Sequence, residues 1–125
     1  MKKIMVVDDN VSFLKQIGVL LETRYDIILA KSGNQALQIG SKEKPELIFL
    51  DIEMPEMDGY QTITKFREAS WFRATPVVFL TGNQDETSKQ RAFEYGAIDI
   101  LTKPVDKEYL QNRIELYLQG SGGKE

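Results

Sequence analysis

Ile4-Met5-Val6-Val7-Asp8-Asp9-Asn10 sets four apolar residues against two acids, and Leu47-Ile48-Phe49-Leu50-Asp51 repeats the form further along the chain. Working outward, three more short apolar runs stand at residues 26–30, 76–80 and 98–101. Longer amphipathic stretches separate all five. Parallel strands buried on both faces by crossover helices produce this pattern.

The intervening stretches carry helix signals. Phe13, Leu14, Ile17, Leu20 and Leu21 fall at helical spacing behind Asp9 or Asn10 as N-cap. Ser32 caps a second helix bearing Ala36, Leu37 and Ile39, which Gly40 and then Pro45 bring to an end. A third helix follows the Asp58-Gly59 turn with Ile63 and Phe66 inward, and Val105, Leu110, Ile114, Tyr117 and Leu118 suit a long final one. The fourth, from Asn83 through Arg91, is almost wholly polar and has Ala92, Phe93 and Tyr95 for packing. Weak tertiary support makes it a moving part. Five strand–helix units with right-handed crossovers predict one doubly wound α/β domain, a five-stranded parallel sheet of flavodoxin-like order 2-1-3-4-5, over residues 1–118. Residues 119–125, rich in Gly and Ser, read as a flexible tail or the start of a linker.

Composition narrows the chemistry. The 125 residues, 42% hydrophobic, fill one domain and leave no room for a second. No Cys means no disulfide, thiolate metal site or cysteine nucleophile, and no His removes imidazole-based triads, most zinc chemistry and any phosphohistidine within this chain. With 16 basic against 19 acidic residues and no dense basic run, direct nucleic-acid binding is not expected. The first apolar run is too short for a signal peptide or a membrane span, so the expected location is cytoplasmic.

In the predicted strand order, ligands bind beyond the carboxyl ends of the strands at the switch point between the first and third. Asp8 and Asp9 end the first strand, Asp51 the third and Thr81 the fourth, while Lys103 follows the fifth. Three carboxylates together are costly unless a cation neutralises them. Oxygen donors without imidazole or thiolate favour a hard ion such as Mg²⁺, which keeps open positions for phosphoryl oxygens. An aspartate nucleophile with a metal, a lysine and a hydroxyl around it is suited to phosphoryl transfer. Taken singly, Asp8-Asp9 can be a cap, Asp58-Gly59 a turn and Lys103-Pro104 a helix start; it is their order at successive strand ends that argues for a site.

Val6-Val7-Asp8-Asp9-Asn10, the segment from Leu50-Asp51 through Met54-Pro55 to Met57-Asp58-Gly59, Leu80-Thr81-Gly82 and Gly96-Ala97 leading to Leu101-Thr102-Lys103-Pro104 together resemble the receiver domain of two-component response regulators. The resemblance covers residues 1–118. It implies that Asp51 is the phosphoacceptor, served by a histidine kinase or histidine phosphotransfer protein. It also implies that Asp9 and Asp51 hold Mg²⁺ directly, Asp8 through water, and Glu53 through its backbone carbonyl. Lys103 and Thr81 would contact phosphoryl oxygens, Gly82 would leave them room, and the Lys103-Pro104 bond would be cis. The domain would then be a regulatory switch that catalyses only its own phosphorylation and dephosphorylation. Its fourth helix, fifth strand and fifth helix, bearing Lys89, Arg91, Lys107, Tyr109 and Arg113, would form the face that meets an effector domain or protein.

One position departs from the family pattern: Ile100 stands where relatives carry the aromatic residue that rotates on activation. Either it repacks within the same switch, or signalling depends on another surface, or it is merely an exposed strand residue. Glu53 is expected at the mouth of the site, and of Trp71-Phe72 packing against the domain is the preferred reading over partner binding. A haloacid-dehalogenase-type phosphatase is disfavoured, because its nucleophile lies on the first strand in an Asp-x-Asp pattern. A flavodoxin-like cofactor protein is disfavoured by the acids after the first strand. A scaffold that is never phosphorylated is disfavoured by the intact set Asp8, Asp9, Asp51, Thr81 and Lys103.

Overall fold

The computed structural model describes residues 1–82 and 85–122. Strands β1 (Lys3–Val7), β2 (Asp26–Ala30), β3 (Leu47–Asp51), β4 (Val77–Thr81) and β5 (Asp99–Thr102) alternate with α1 (Val11–Leu21), α2 (Gly33–Glu43), α3 (Gly59–Glu68), α4 (Glu86–Glu94) and α5 (Lys107–Gly122). All neighbouring strands are parallel, in the expected order β2-β1-β3-β4-β5. Successive strand side chains point to opposite faces. Met5, Val7, Ile48, Leu50 and Phe79 therefore share a core with residues of α2, α3 and α4, whereas Ile4, Val6, Phe49 and Leu80 pack with those of α1 and α5. Helices on both faces explain why β3 and β4 are buried at every position and read as unbroken apolar runs.

Local chemistry sets the helix starts. Asn10, rather than Asp9, caps α1, its Oδ1 accepting from the Phe13 N–H at 3.1 Å. Ser32 caps α2 through the Gln35 N–H at 3.1 Å. Asp58 and Gln61 form a reciprocal capping box at the head of α3, at 2.9 and 3.0 Å.

Gly40 does not end α2, contrary to expectation; the helix runs on to Glu43 and stops at Lys44, whose φ is 51°. The glycine serves packing instead. A Cβ there would fall 1.9 Å from Cζ of Phe72, which is fully buried. Its neighbour Trp71 is half-exposed, so the Trp71-Phe72 pair divides between surface and core. Arg67 at the end of α3 donates to the carbonyls of Phe72, Thr75 and Gly96 at 3.0, 2.8 and 3.2 Å, fastening the segment before β4 to the turn before β5.

Asp85 caps α4 by accepting from the Ser88 N–H at 2.8 Å. Ala92 is the residue of this helix that is buried, and Phe93, expected to pack, is 51% exposed. Asn83 and Gln84, where the helix was expected to begin, lie outside the described residues. On α5, Leu110, Ile114 and Tyr117 face the core. The helix continues to Gly122, into the stretch read as a tail, and residues 123–125 lie outside the described residues.

Candidate functional site

Parallel strands end on a common rim, and β1 and β3 are neighbours whose following connections diverge, one to β2 and the other to β4. A crevice opens between such connections. Carboxylate oxygens of Asp8, Asp9 and Asp51 meet there within 4.8 Å of one another, Asp8 and Asp51 buried and Asp9 exposed. Lys103 reaches in from beyond β5, its Nζ 2.6 Å from Asp8 Oδ2 and 3.3 Å from Asp51 Oδ1. The ammonium also lies 4.4 Å from the centre of the Phe13 ring. Its backbone is held by the Lys103 N–H donating to the Thr81 carbonyl at 2.8 Å, and the Lys103-Pro104 bond is cis, as expected. The second Asp8 oxygen accepts from the Asn10 N–H at 2.9 Å, which fixes the loop after β1.

Thr81 is the last residue of β4 and lies one position beyond Leu80, the register partner of Asp51. Together with Glu53, Tyr60, Ser88 and Arg91 it lines a cavity of about 340 Å³. Gly59 presses the head of α3 against the end of β3: its N–H donates to the Ile52 carbonyl at 2.7 Å, and a Cβ would fall 2.6 Å from the Asp51 carbonyl oxygen. At Gly82, by contrast, a Cβ would meet nothing within 4 Å, so packing does not require a glycine there.

Burial, and then the charge of Asp8, push the Asp51 carboxyl from its ordinary 3.8 up to about 6, outweighing Lys103, which pulls the other way. Burial draws the Lys103 ammonium down, but its hydrogen bond to Asp8 and the charges of Asp51 and Asp8 overcome this and leave it raised. The shorter contact explains the asymmetry. Lys103 belongs first to Asp8, and Asp51 is left under-neutralised in a buried place. Three carboxylates facing one ammonium form an oxygen-only donor set that suits a hard divalent cation.

Ile100 is not an exposed strand residue. It is 3% exposed on β5, opposite Phe79, and packs in the core shared by α3 and α4. Three features escaped the sequence reading. Arg91, placed there on a face with Arg113, turns instead toward α3, with its guanidinium carbon 4.1 Å from the centre of the Tyr60 ring. Asp99 accepts from both the Arg113 guanidinium, at 3.1 Å, and the Tyr117 hydroxyl, joining β5 to α5. The carbonyl nest of Arg67 is the third. An acid inside the apolar run at 98–101 was a visible signal that Asp99 needed partners; nothing local marked Tyr60 or Arg67.

The family description "response regulator receiver domain" matches residues 4–115. The chain belongs to this receiver family. The receiver is 32% identical over 121 residues to protein PilH of Pseudomonas aeruginosa, covering 96% of this chain and 100% of PilH. It is 38% identical over 125 residues to a probable cyclic di-GMP phosphodiesterase of Vibrio cholerae, covering 98% of this chain but 28% of that protein. Among solved structures, the chemotaxis protein CheY4 of Vibrio cholerae superposes with a TM-score of 0.88 at 29% identity, covering 93% of this chain and 98% of that one. The receiver thus spans well under a third of the phosphodiesterase and the whole of PilH. It is a regulatory domain, a phosphoacceptor signalling switch of two-component systems, in which such domains work with histidine kinases and effectors. Among the described residues no helix is long and apolar enough to cross a membrane.

Proposed function

We propose that Asp51 is the residue that accepts the phosphoryl group, from a phosphohistidine on a partner kinase or phosphotransfer protein. The observation that carries this is the convergence of Asp8, Asp9, Asp51 and Lys103 on one rim, with Asp51 the buried carboxylate that the lysine reaches at the longer distance. One Asp51 oxygen attacks phosphorus and forms an O–P bond while the P–N bond breaks, its electron pair remaining on the departing imidazole. Lys103 stands beside the attacking carboxylate, where its ammonium offsets the charge of phosphoryl oxygens. The Thr81 hydroxyl, at the end of the neighbouring strand, supplies a further donor. Asp8, Asp9, Asp51 and the Glu53 carbonyl are the groups that would hold Mg²⁺, whose charge neutralises carboxylates and phosphoryl oxygens together. The domain then catalyses only its own phosphorylation and dephosphorylation.

Phosphorylation adds negative charge and strong acceptors at this rim, which biases the loops after β4 and β5 inward. We infer a cytoplasmic location, no direct contact with nucleic acid, and an output face on α4, β5 and α5, where Tyr109 and Leu116 are exposed. The test is intact mass after incubation with acetyl phosphate, with and without Mg²⁺, for the wild type and Asp51→Asn. One Mg²⁺-dependent phosphoryl group, absent in the variant, is expected. Folded, Mg²⁺-binding wild type that gains none would refute the assignment.

A further inference from the structure

We propose that Arg91 clamps α4 in its resting position by lying on Tyr60, and that a phosphoryl group on Asp51 draws the guanidinium off the ring and releases the helix. The second half rests on the assignment of Asp51 above; the first does not.

Helix α4 has little else to hold it. Ala92 is its buried residue, and Phe93 stands in solvent. Tyr60 fills the gap. Its ring meets Phe79 of β4 at 5.2 Å and 68°, and Tyr95 at the end of α4 at 4.8 Å and 47°, while Arg91 lies over its face. Tyr60 is itself anchored to the end of β3, because it follows Gly59, whose amide is bonded to the Ile52 carbonyl and where a Cβ would fall 2.6 Å from the Asp51 carbonyl oxygen. The ring is thus fixed on the site side and gripped on the helix side.

Arg91 is placed to respond to charge. It forms no ion pair among the described residues. It lines the same cavity as Ile52 and Glu53, the two residues that follow Asp51, and as Thr81 at the end of the neighbouring strand. A ring quadrupole holds an exposed cation only weakly, equivalent to a roughly two- to fivefold bias in population. A phosphoryl group with a charge of about −1.5 to −2 offers a stronger partner. Ile100, buried and aliphatic, offers no ring that could take over this coupling from β5.

The test is amide exchange of the full chain along Glu86–Glu94, with α2 as internal reference, before and after treatment with acetyl phosphate and Mg²⁺, phosphoryl occupancy being read by mass. Gln and Lys match Arg in helix propensity, so Arg91→Gln and Arg91→Lys separate the cation from the helix. At rest, Arg91→Gln is expected to exchange two- to fivefold faster on α4 and unchanged on α2, with Arg91→Lys close to wild type. In a Tyr60→Leu background Arg91→Gln should add nothing, and phosphorylated wild type should rise to the level of resting Arg91→Gln. Equal α4 exchange in resting wild type and Arg91→Gln overturns the clamp, as does the same factor added in the Tyr60→Leu background. If Tyr60→Leu does not fold, the contrast of Lys with Gln decides. A wild type that takes up no phosphoryl group would sink the Asp51 assignment, while the resting comparison still settles the clamp.

Discussion

Replacing Asp51 with asparagine should make the metal-free protein more stable. Asp51 is buried beside Asp8, and its carboxyl is pushed from 3.8 to about 6. A folded-state pKa above the unfolded one means that the native protein holds the proton more tightly between these values, so stability falls as pH rises through that window. Above pH 6 the ionised carboxylate costs the fold its full penalty; below about 3.8 it costs nothing. Two pKa units at about 1.36 kcal/mol each set a ceiling of roughly 3 kcal/mol. The rim is open to solvent through Asp9, and screening reduces this to about 1–2 kcal/mol. Asp51→Asn keeps the shape and removes the charge. Urea unfolding in EDTA should therefore show a gain of about 1–2 kcal/mol at pH 7.5 that fades by pH 4. Millimolar Mg²⁺ should stabilise the wild type more than the variant, because the ion relieves the same repulsion. A variant no more stable than wild type at pH 7.5, or one whose advantage persists unchanged at pH 4, would show that the burial of Asp51 does not set its energetics.

Three further changes probe the scaffold. Gly40→Ala drives a methyl into Phe72, 1.9 Å from Cζ, and should cost about 2 kcal/mol or more in chemical unfolding, with Phe72→Leu in the same chain recovering part of it. Glu56 has a φ of 69° in the loop between β3 and α3, so Glu56→Gly should stabilise by about 0.5–1 kcal/mol in thermal unfolding; a loss would contradict strain at that turn. Burial, followed by the Asp99 hydrogen bond, holds the Tyr117 hydroxyl well above its ordinary range despite Arg113, so the native state keeps a proton that the unfolded chain loses near pH 10. Stability should therefore decline as pH rises past 10, and Tyr117→Phe should flatten that decline in a urea series.

The sheet and its rim were legible because their signals are local and redundant. A strand buried on both faces writes itself as an apolar run, and an acid that stops the run marks the strand end; Asp8 and Asp51 did both jobs. Helix starts at Ser32 and Asp58 were legible for the same reason, since a cap bonds to residues three positions away. Gly40 was misread because a glycine that ends a helix and one that admits a distant ring look alike in sequence, and the ring belongs to residue 72. Arg91 was misplaced for a related reason. Helical spacing gives a residue's angle around α4, but the direction in which a long side chain bends depends on what waits nearby, here Tyr60 on another helix. Ile100 could be placed on β5 from sequence, but not on its buried side, because β5 is an edge strand whose burial changes from residue to residue.

The charges at the rim bear on how the switch can work. At rest three carboxylates face one ammonium, a formal excess of two negative charges that one divalent ion would cancel. Phosphorylating Asp51 replaces one carboxylate charge with a phosphoryl charge of about −1.5 to −2, so even the metal-loaded site returns to net negative. Lys103 cannot absorb the difference alone, since it is already closest to Asp8 at 2.6 Å. The surplus must be met by donors that are not committed to carboxylates at rest. Arg91, which lies on a ring and forms no ion pair among the described residues, is one, and Thr81 at the end of β4 brings a hydroxyl to the same rim. Both border the same cavity, together with Ile52 and Glu53 that follow Asp51, and Arg91 is carried on a helix whose buried residue is Ala92. Neutralising the phosphorylated site and moving α4 are on this reasoning the same event, because the cation that answers the new charge is the one that had been holding the helix.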